Sequence, residues 1–517
     1  MLFPAISSRA TVEFALLSWA VQSALGATFE NLCRHLEQNL RIENATINLV
    51  QYVPSESTLL FPDNDISCNR SSQIVAADIC RIALFVGTSP SSGVQLEAWL
   101  PRNWTGRFLS TGNGGLSGCI QYEDMNYGTS LGFATVGTNN GHNGTSGQAF
   151  LNNPNVIKDY SYGSVHTGAV IGKTITNAFY GRNFTKSYYI GCSTGGRQGF
   201  QSAQMFPSDF DGIVAGSPTL DFTHLTAWAG WLGIVTGYNT NDSGFVSPAL
   251  WKTIHQEILK QCDSLDGAVD GIIENPDLCY PNLDILRCNR RLTHNCLNSE
   301  QLRRASGVFE PFTYSNGSLI FPRMQPGSEL ESSDTFYSGL PSPYVYAVHG
   351  NPAWSALNLT LADVTFAQQL NPFGINTWNG DLSSFNASGG KLLHYHGLQD
   401  YLISSENSAR YYNLVRETMS RTHVELDNFY RYFRVSGMGH CRHGPGAWMI
   451  GQSTIGRTGI DPKKKGSAPE TIRGLKYRDD DPKAEILLTR RHCRYPYQNR
   501  YTGPQPLSDD ESWTCML

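Results

Sequence analysis

The sequence lacks a surplus of positive charge. Its 517 residues carry 39 lysine and arginine side chains against 44 aspartate and glutamate side chains, a formal net charge of −5. Nucleic acids and anionic membranes usually require a strongly basic face, so we expect neither as a partner, and a small polar or neutral substrate fits better. Internal repeats and long low-complexity segments are also missing, and the length allows two to four domains with large cores.

Long apolar runs are missing beyond the N-terminus. Residues 12–27 form one short run after Arg9, and it ends in small residues of the kind that signal peptidase accepts. The alternative is an anchored or buried N-terminal helix, but the run is too short to span a bilayer comfortably. We therefore predict a signal peptide at residues 1–27, no membrane segment, and a secreted, extracellular protein.

Nine asparagines stand in N-x-S/T sequons, which indicates a glycosylated surface if the chain is secreted. They are Asn44, Asn69, Asn103, Asn143, Asn183, Asn241, Asn316, Asn358 and Asn386.

The twelve cysteines are even in number, which in an exported protein favours disulfides over zinc ligands or free thiols. Spacing alone does not determine the pairs. The simplest local guesses are Cys262 with Cys279 and Cys288 with Cys296.

The stretch IGCSTGGR, residues 190–197, places Cys192 beside Ser193 in a Gly-x-Ser-x-Gly frame. The run KSYYI before it predicts a strand, and residues 197–205 can form a helix. Strand, tight turn and helix are the context in which this motif is a nucleophile elbow, with the serine exposed above a sheet. By chance the motif also occurs in glycine-rich loops.

Further apolar runs predict buried strands, at residues 94–100, 107–110, 132–137, 391–396 and 429–435. The last two end just before Asp400 and His440, and open α/β sheets build their sites past the carboxyl ends of strands. The order Ser193, Asp400, His440 is that of α/β-hydrolase triads. In this interpretation Ser193 attacks, His440 is the general base and acid, and Asp400 orients His440.

The alternatives for two of these positions are ordinary ones. An isolated aspartate in a turn is usually a capping residue, and three further histidines compete for the role of base: His394, His396 and His443. His440 is preferred because its neighbour is Cys441. For the oxyanion we expect the backbone N–H of Thr194 and a second one from the loop at residues 112–116, with Gly115 as the candidate.

A disulfide between Cys192 and Cys441 would explain the thiol beside the serine. It would join the residue before Ser193 to the residue after His440 and hold their Cα atoms roughly 6 Å apart. Because it closes a loop of about 250 residues, chain entropy assigns it roughly 5 kcal/mol. In this interpretation the cysteine is structural and the hydroxyl of Ser193 is the nucleophile.

At these residues the sequence resembles the fungal tannase and feruloyl esterase family, whose signature is a Cys-Ser pair, a distant Asp and a His-Cys pair with bridged cysteines. It is most similar to feruloyl esterases of the B type, in LPRNWTGRFLSTGNGGL, GFATVGTNNGH, YYIGCSTGGRQGF, GGKLLHYHGLQD and SGMGHC. The likeness covers about residues 33–448 and resumes at 492–515.

The resemblance implies an α/β-hydrolase catalytic domain, residues 28–217 and 386–517, interrupted by a lid domain at residues 218–385. The composition changes at the boundaries of the predicted lid: residues 218–385 are rich in tryptophan and contain many predicted loops. The resemblance also implies that all twelve cysteines are paired, Cys192 with Cys441 and, in addition, Cys33 with Cys80, Cys68 with Cys119, Cys262 with Cys279, Cys288 with Cys296, and Cys493 with Cys515.

Within the predicted lid, CDSLDGAVDGIIENPDLC combines carboxylates with glycine turns. Hard oxygen ligands suit calcium better than zinc, although a solvated acidic loop is the alternative. The resemblance implies a structural Ca²⁺ held by the side chains of Asp263, Asp266 and Asp270 and the carbonyls of Ala268 and Ile272. The basic stretch at residues 451–465 departs from the family, which has a longer segment with a helix there.

The expected function is therefore a serine carboxylesterase that hydrolyses feruloyl and other hydroxycinnamoyl esters of plant cell-wall polysaccharides, without an organic cofactor. A tannase acting on galloyl esters is the close alternative, because both acyl groups are planar phenolics. A catalytically silent secreted binding protein is the alternative of another class, against which the complete set of Ser, Asp and His argues.

Overall fold

A computed structural model of the chain describes residues 28–237, 239–331, 347–450, 468–503 and 506–517. The predicted signal peptide and the basic stretch at residues 451–465 lie outside the described residues. Within these ranges, no helix combines the length and the apolar character that a membrane crossing needs.

The strands are numbered along the chain: β1 (Ala45–Val53), β2 (Thr58–Leu60), β3 (Ser72–Ile74), β4 (Ile79–Ser89), β5 (Ser92–Pro101), β6 (Arg107–Thr111), β7 (Phe133–Thr138), β8 (Lys186–Cys192), β9 (Gly212–Gly216), β10 (Phe312–Thr313), β11 (Leu319–Phe321), β12 (Lys391–Gly397), β13 (Tyr430–Val435), β14 (Met449–Ile450), β15 (Thr471–Tyr477), β16 (Ile486–Cys493), β17 (Gln498–Tyr501) and β18 (Trp513–Met516).

The α-helices are numbered in the same way: α1 (Phe29–Asn39), α2 (Tyr122–Ser130), α3 (Pro154–Lys158), α4 (Ser164–Tyr180), α5 (Thr194–Met205), α6 (Phe222–Thr236), α7 (Pro248–Cys262), α8 (Ser299–Gly307), α9 (Leu361–Leu370), α10 (Ser383–Ala387), α11 (Glu406–Thr418) and α12 (His423–Leu426). A π-helical turn, Asp159–Gly163, lies between α3 and α4.

Nine strands form one mixed sheet in the order β1-β4-β5-β7-β6-β8-β9-β12-β13. The strands β1, β4, β5 and β7 pair antiparallel, and from β7 to β13 every neighbouring pair is parallel. Parallel strands bring their carboxyl ends to one edge, where α/β sheets build their sites. This sheet with its connecting helices is the α/β-hydrolase architecture predicted from the sequence.

The strands predicted from apolar runs are confirmed, with small shifts at their ends. The run at residues 94–100 lies in β5, those at 107–110 and 132–137 match β6 and β7, and those at 391–396 and 429–435 match β12 and β13. In β8, Ser187, Tyr189 and Gly191 are buried while the residues between them are less so. This alternation is the two-residue period of a strand.

Two hydrophobic clusters account for most of the buried side chains. One joins α1, α4 and α5 to the large sheet and contains, for example, Phe108, Tyr189 and Phe200. The other consists of residues between 225 and 367 together with Ile403, and includes Trp228. The second cluster lies within the range predicted to be the lid, but the domain boundaries themselves stay predictions.

All twelve cysteines are paired in six disulfides, and the pairs are those that the resemblance implies. They are Cys33–Cys80, Cys68–Cys119, Cys192–Cys441, Cys262–Cys279, Cys288–Cys296 and Cys493–Cys515. The Cys192–Cys441 bridge spans 249 residues of sequence, whereas Cys262–Cys279 spans 17.

Candidate active site

Ser193 occupies a strained turn between β8 and α5. Its φ of 64° and ψ of −122° lie in a region that non-glycine residues rarely adopt. A Cβ on Gly191 would lie 2.7 Å from the Gly195 backbone, and one on Gly195 would lie 2.9 Å from the Asn113 carbonyl oxygen. Only glycine therefore fits on either side of the serine, as in a nucleophile elbow.

Backbone hydrogen bonds hold this turn in place. The N–H of Ser193 donates to the carbonyl of Gly216 at the end of β9, and the N–H of Arg197 donates to the carbonyl of Ser193, each at 3.0 Å. Helix α5 therefore begins directly after the serine, and the N–H of Thr194 belongs to its first turn. The first N–H groups of a helix have no partner within the helix and carry the positive end of its dipole.

The glycine-rich loop predicted to complete the oxyanion site is tied to the same helix. The carbonyl of Gly115 accepts hydrogen bonds from the hydroxyls of Thr194 at 2.7 Å and Tyr160 at 2.8 Å. The N–H of Asn113 donates to the side-chain oxygen of Gln198 in α5 at 3.0 Å. The loop therefore lies beside the elbow, while the role of the Gly115 N–H as an oxyanion donor stays a prediction.

Arg197 and Tyr160 support this loop, and sequence reasoning missed both. The guanidinium of Arg197 is completely buried and donates to the carbonyls of Tyr160 and Ser161, at 3.0 and 2.9 Å. Burial lowers the pKa of Arg197, because no carboxylate among the described residues pairs with its charge. The arginine thereby holds the π-helical turn that positions the Tyr160 hydroxyl.

Asp400 lies in the turn after β12 with all of its acceptor positions used. Its Oδ1 accepts the backbone N–H groups of Leu402 and Ile403, both at 2.9 Å. Its Oδ2 accepts from the rings of His440 at 2.8 Å and His396 at 3.0 Å. Burial alone would raise the pKa of Asp400, but the charge and hydrogen bond of His440 and the hydrogen bond of His396 lower it well below its usual range.

His440 follows β13 in a glycine turn. Its Nδ1 faces Asp400, which leaves Nε2 as the free ring nitrogen, and its side chain keeps 12% of its surface exposed. Gly437 has a φ of 63°, and a Cβ there would lie 2.5 Å from the backbone of Gly446. The turn that presents the imidazole therefore requires glycine.

The disulfide between Cys192 and Cys441 joins the two halves of the site. The sulfurs are bonded, and the Cα atoms lie 6.1 Å apart. The residue before Ser193 is thereby attached to the residue after His440, although the two are far apart in sequence. The structure thus brings Asp400 and His440 into contact and links the segment of Ser193 to them.

The three competing histidines lie in different surroundings. His394 and His396 are completely buried, and neither ring reaches the surface. His443 is exposed, with Nδ1 3.4 Å from Asp480. The contact between His396 and Asp400 was missed, although the His-Tyr-His pattern of β12 puts both histidines on one face of the strand, the face that Asp400 also meets.

The predicted calcium ligands form a compact acidic loop after α7. Asp263 accepts the N–H of Gly271 at 3.0 Å, and Oδ1 of Asp266 accepts the N–H of Ala268 at 2.8 Å. The other oxygen of Asp266 is buried and has no hydrogen-bond partner among the described residues. Oxygen donors, tight turns and one unused buried oxygen fit a hard cation such as Ca²⁺.

A positive side chain already neutralises part of this loop. The buried guanidinium of Arg490 donates to Asp270 at 2.6 Å and contacts Glu274. Burial raises the pKa of Asp266 to about 7, and the carboxylates of Glu274 and Asp270 add to the rise. In the part of the chain that the structure describes, no three acidic, histidine or cysteine side chains are grouped so that they could hold a metal ion. Calcium binding therefore stays a prediction.

Comparisons with known proteins identify the family of the chain. The model of the family described as "Tannase and feruloyl esterase" matches residues 85–371 and 358–516. A "Probable feruloyl esterase B-2" of Neosartorya fischeri is 50% identical over 506 residues, which cover 94% of this chain and 96% of the relative. A "Probable feruloyl esterase B" of Aspergillus clavatus is 50% identical over 507 residues, 95% of this chain and 96% of the relative.

Two solved structures are similar to this chain over most of its length. Feruloyl esterase B from Aspergillus oryzae superimposes with a TM-score of 0.90 at 44% identity, covering 95% of this chain and all of that one. The tannin acyl hydrolase from Aspergillus niger superimposes with a TM-score of 0.76 at 21% identity, covering 95% of this chain and 96% of that one. At that identity the second likeness concerns the fold alone.

Proposed function

Because the chain belongs to the tannase and feruloyl esterase family and is a carboxylic ester hydrolase, we propose that it hydrolyses feruloyl and other hydroxycinnamoyl esters of plant cell-wall polysaccharides. The observation that carries the substrate class is the 50% identity to feruloyl esterases of the B type over nearly the whole chain. The galloyl alternative has weaker support, because the family includes tannases but the tannase whose structure was compared is 21% identical to this chain. Feruloyl esters are therefore the preferred substrate class.

We propose a serine mechanism at Ser193. As its Oγ attacks the ester carbonyl, the hydroxyl proton passes to Nε2 of His440, and Asp400 stabilises the imidazolium that forms. The proton then goes to the leaving alcohol, and the acyl group stays on Ser193. In the second half of the reaction a water molecule attacks the acyl group and gives its proton to His440. The proton then returns to Ser193 as the phenolic acid is released. The contact between Asp400 and His440 and the disulfide at the elbow support these roles.

The tetrahedral intermediate needs donors for its oxyanion. We propose the N–H of Thr194 and the N–H of Gly115 for this role, because the first turn of α5 and the loop at residues 112–116 are tied together beside Ser193. Loss of one such donor in other hydrolases costs about 3 kcal/mol of transition-state stabilisation.

The test is a panel of methyl ferulate, methyl caffeate and methyl gallate with the wild type and Ser193→Ala. We expect the highest kcat/KM on a hydroxycinnamate and a fall of at least about a thousandfold in the variant. Ser202→Ala is the matched control, because Ser202 is a buried serine of α5, the helix that follows Ser193, and its hydroxyl donates to the Gln198 carbonyl. Unchanged activity in Ser193→Ala would contradict the mechanism, and preference for gallate would contradict the substrate class.

We also propose that the acidic loop binds a structural Ca²⁺ through Asp263, Asp266, Asp270 and the carbonyls of Ala268 and Ile272. The buried oxygen of Asp266 without a hydrogen-bond partner among the described residues supports this assignment. In such a site the ion would stabilise the loop and take no part in ester hydrolysis.

Secretion is a further proposal. It rests on the predicted signal peptide, on six disulfides and on the sequons, of which eight have exposed asparagines and only Asn386 is half-buried. N-terminal sequencing of protein from the culture medium of an expressing fungus checks it. We expect the mature chain to begin near Thr28, and retention of the first 27 residues would contradict the cleavage.

A further inference from the structure

Asp400 contacts a second histidine, His396, which takes no part in the mechanism proposed for Ser193, His440 and Asp400. We propose that His396 is a positioning residue of the active site, which donates a fixed hydrogen bond to Asp400 and thereby holds the carboxylate for His440. The proposal rests on the proposed serine mechanism. It starts from one contact, because Nε2 of His396 lies 3.0 Å from Oδ2 of Asp400, the same oxygen that His440 uses.

The surroundings of His396 determine which ring nitrogen carries the proton. Its Nε2 lies near two acceptors, Oδ2 of Asp400 and the carbonyl oxygen of Ile403 at 3.2 Å. An unprotonated Nε2 would direct its lone pair at two oxygens in a buried site, so Nε2 must carry the hydrogen. In the neutral ring Nδ1 is then an acceptor, and the hydroxyl of Ser408 donates to it at 2.6 Å.

The same logic extends the chain of hydrogen bonds away from Asp400. Since the Ser408 hydrogen is used on His396, its oxygen accepts from Nε2–H of His394 at 2.9 Å. Nδ1 of His394 then accepts from the hydroxyl of Tyr430, also at 2.9 Å. Every bond points toward Asp400, and Tyr430, His394, Ser408 and His396 are each at most 2% exposed. Buried networks with every member satisfied are rigid.

The consequence concerns His440. Two backbone N–H groups occupy Oδ1 of Asp400 and two imidazoles occupy Oδ2, so the carboxylate cannot rotate without losing a bond. A fixed Oδ2 keeps the proton of His440 on Nδ1 and leaves Nε2 free for the serine proton. The donor from His396 also stabilises the negative charge of a carboxylate that is buried away from water.

His394 provides a matched control. It lies two residues earlier on the same strand, is equally buried and shares the Ser408 hydroxyl, but it does not contact Asp400. A role in packing predicts equal effects at both histidines, whereas a positioning role predicts a clearly larger loss of turnover at His396, because His394 acts on Asp400 only through Ser408 and His396.

The experiment compares His396→Leu, His396→Gln and His394→Leu on methyl ferulate and on 4-nitrophenyl acetate, with folding checked by near-UV circular dichroism. Outer-shell partners of comparable catalytic groups are worth roughly 10- to 100-fold. For His396→Leu we expect a fall of kcat in that range with KM within about twofold. His396→Gln keeps an N–H donor near the position of Nε2 and is expected to recover most of the loss. His394→Leu is expected to stay within about threefold of the wild type.

The pH dependence of kcat/KM is a second measurement, and a loss of packing alone would not shift it. Without the donor, Asp400 attracts the His440 proton more strongly, so the acid limb of kcat/KM is expected to move to higher pH in His396→Leu and to return in His396→Gln. Glu331 interacts electrostatically with Asp400, and Glu331 and Arg442 interact with the nearby ring of Tyr401; all variants retain these groups.

Three results would overturn the proposal: equal losses in the two leucine variants, no loss in either, or a His396→Gln variant in which kcat does not recover and the acid limb does not return. If His396→Leu does not fold, nitrogen-15 shifts of histidine-labelled wild type decide, with His396→Gln to assign the signal. A neutral Nε2–H ring is expected, and an Nδ1–H or charged ring overturns the proposal. Failure of the proposed function is distinguishable, because Ser193→Ala would then retain activity or methyl ferulate alone would go unhydrolysed.

Discussion

Two buried carboxylates of the same residue type, Asp400 and Asp266, have opposite surroundings. Asp400, at the edge of the large sheet, is 1% exposed and receives four hydrogen bonds, and its pKa is lowered. Asp266, in the acidic loop, is 5% exposed and receives one backbone hydrogen bond, and its pKa is raised to about 7. Both oxygens of Asp400 accept hydrogen bonds, whereas one oxygen of Asp266 has no hydrogen-bond partner among the described residues.

The difference follows from what each carboxylate must do. Burying a charged group is unfavourable unless hydrogen bonds or opposite charges replace water. Asp400 must stay ionised and fixed while His440 gains and loses a proton, and backbone N–H groups and imidazoles serve this purpose without a metal. In the acidic loop the described structure pairs Arg490 with two carboxylates, Asp270 and Glu274, and the proposed cation would add positive charge beside Asp266.

The largest effect is expected when the carboxylates of Asp400 and Asp266 are each replaced by an amide. Asp400→Asn should lower kcat by about 10⁴-fold, because an amide stabilises the wrong tautomer of His440. Asp266→Asn, assayed with Ca²⁺ present, should leave kcat within about threefold. Steady-state hydrolysis of methyl ferulate measures both. Similar losses in the two variants would show that the two sites do not differ in the way proposed.

The two disulfides of these regions give the next effect. Removing Cys192–Cys441 by a double alanine substitution should lower the free energy of unfolding by roughly 5 kcal/mol, against about 3 kcal/mol for Cys262–Cys279, because the closed loops differ in length. The first variant should also lose at least about tenfold in kcat, since the elbow and the His440 turn are no longer joined.

Denaturant unfolding and turnover of the same preparations measure this difference. The control is the Cys262–Cys279 variant, which should keep its kcat and respond less to Ca²⁺. A Cys192–Cys441 variant with full turnover would show that packing alone positions the serine and the imidazole.

Calcium removal should give the smallest effect on activity and a clear one on stability. A ligand at a hundred times its Kd stabilises a protein by about 2.7 kcal/mol, so Tm should rise by a few degrees when Ca²⁺ is added after chelation. Asp263→Asn combined with Asp266→Asn should abolish the rise. Calorimetric titration with Ca²⁺ alone checks binding directly. If the wild type shows no heat of binding, the proposed Ca²⁺ site in the loop is contradicted.

Much of the fold follows from local sequence patterns. The run KSYYI and the helix after it were predicted from apolar spacing and glycine turns, and they correspond to β8 and α5. The helix begins at Thr194, three residues earlier than its predicted start at residue 197, because the elbow places the serine directly before the first helical turn. The sequence pattern therefore predicted the type of each element correctly and the start of the helix less accurately.

The hydrogen bonds and charge interactions of the candidate site were harder to predict from the sequence than its strands and helices. Arg197 stands in the motif itself, yet nothing in its neighbours along the chain indicates that it is buried against backbone carbonyls. The contact of His396 with Asp400 depends on how the turn after β12 folds back on the strand.

The sequence by itself determined the elements and the chemical groups: a serine between glycines after a strand, an aspartate and a histidine after two later strands, and cysteines beside two of them. These features are local, so residue types and short spacings are enough to specify them. Only the tertiary structure decided that Asp400 has two histidine partners and Asp266 an unused oxygen. Hydrogen bonds such as these depend on distances of a few tenths of an ångström, which packing sets and residue order does not.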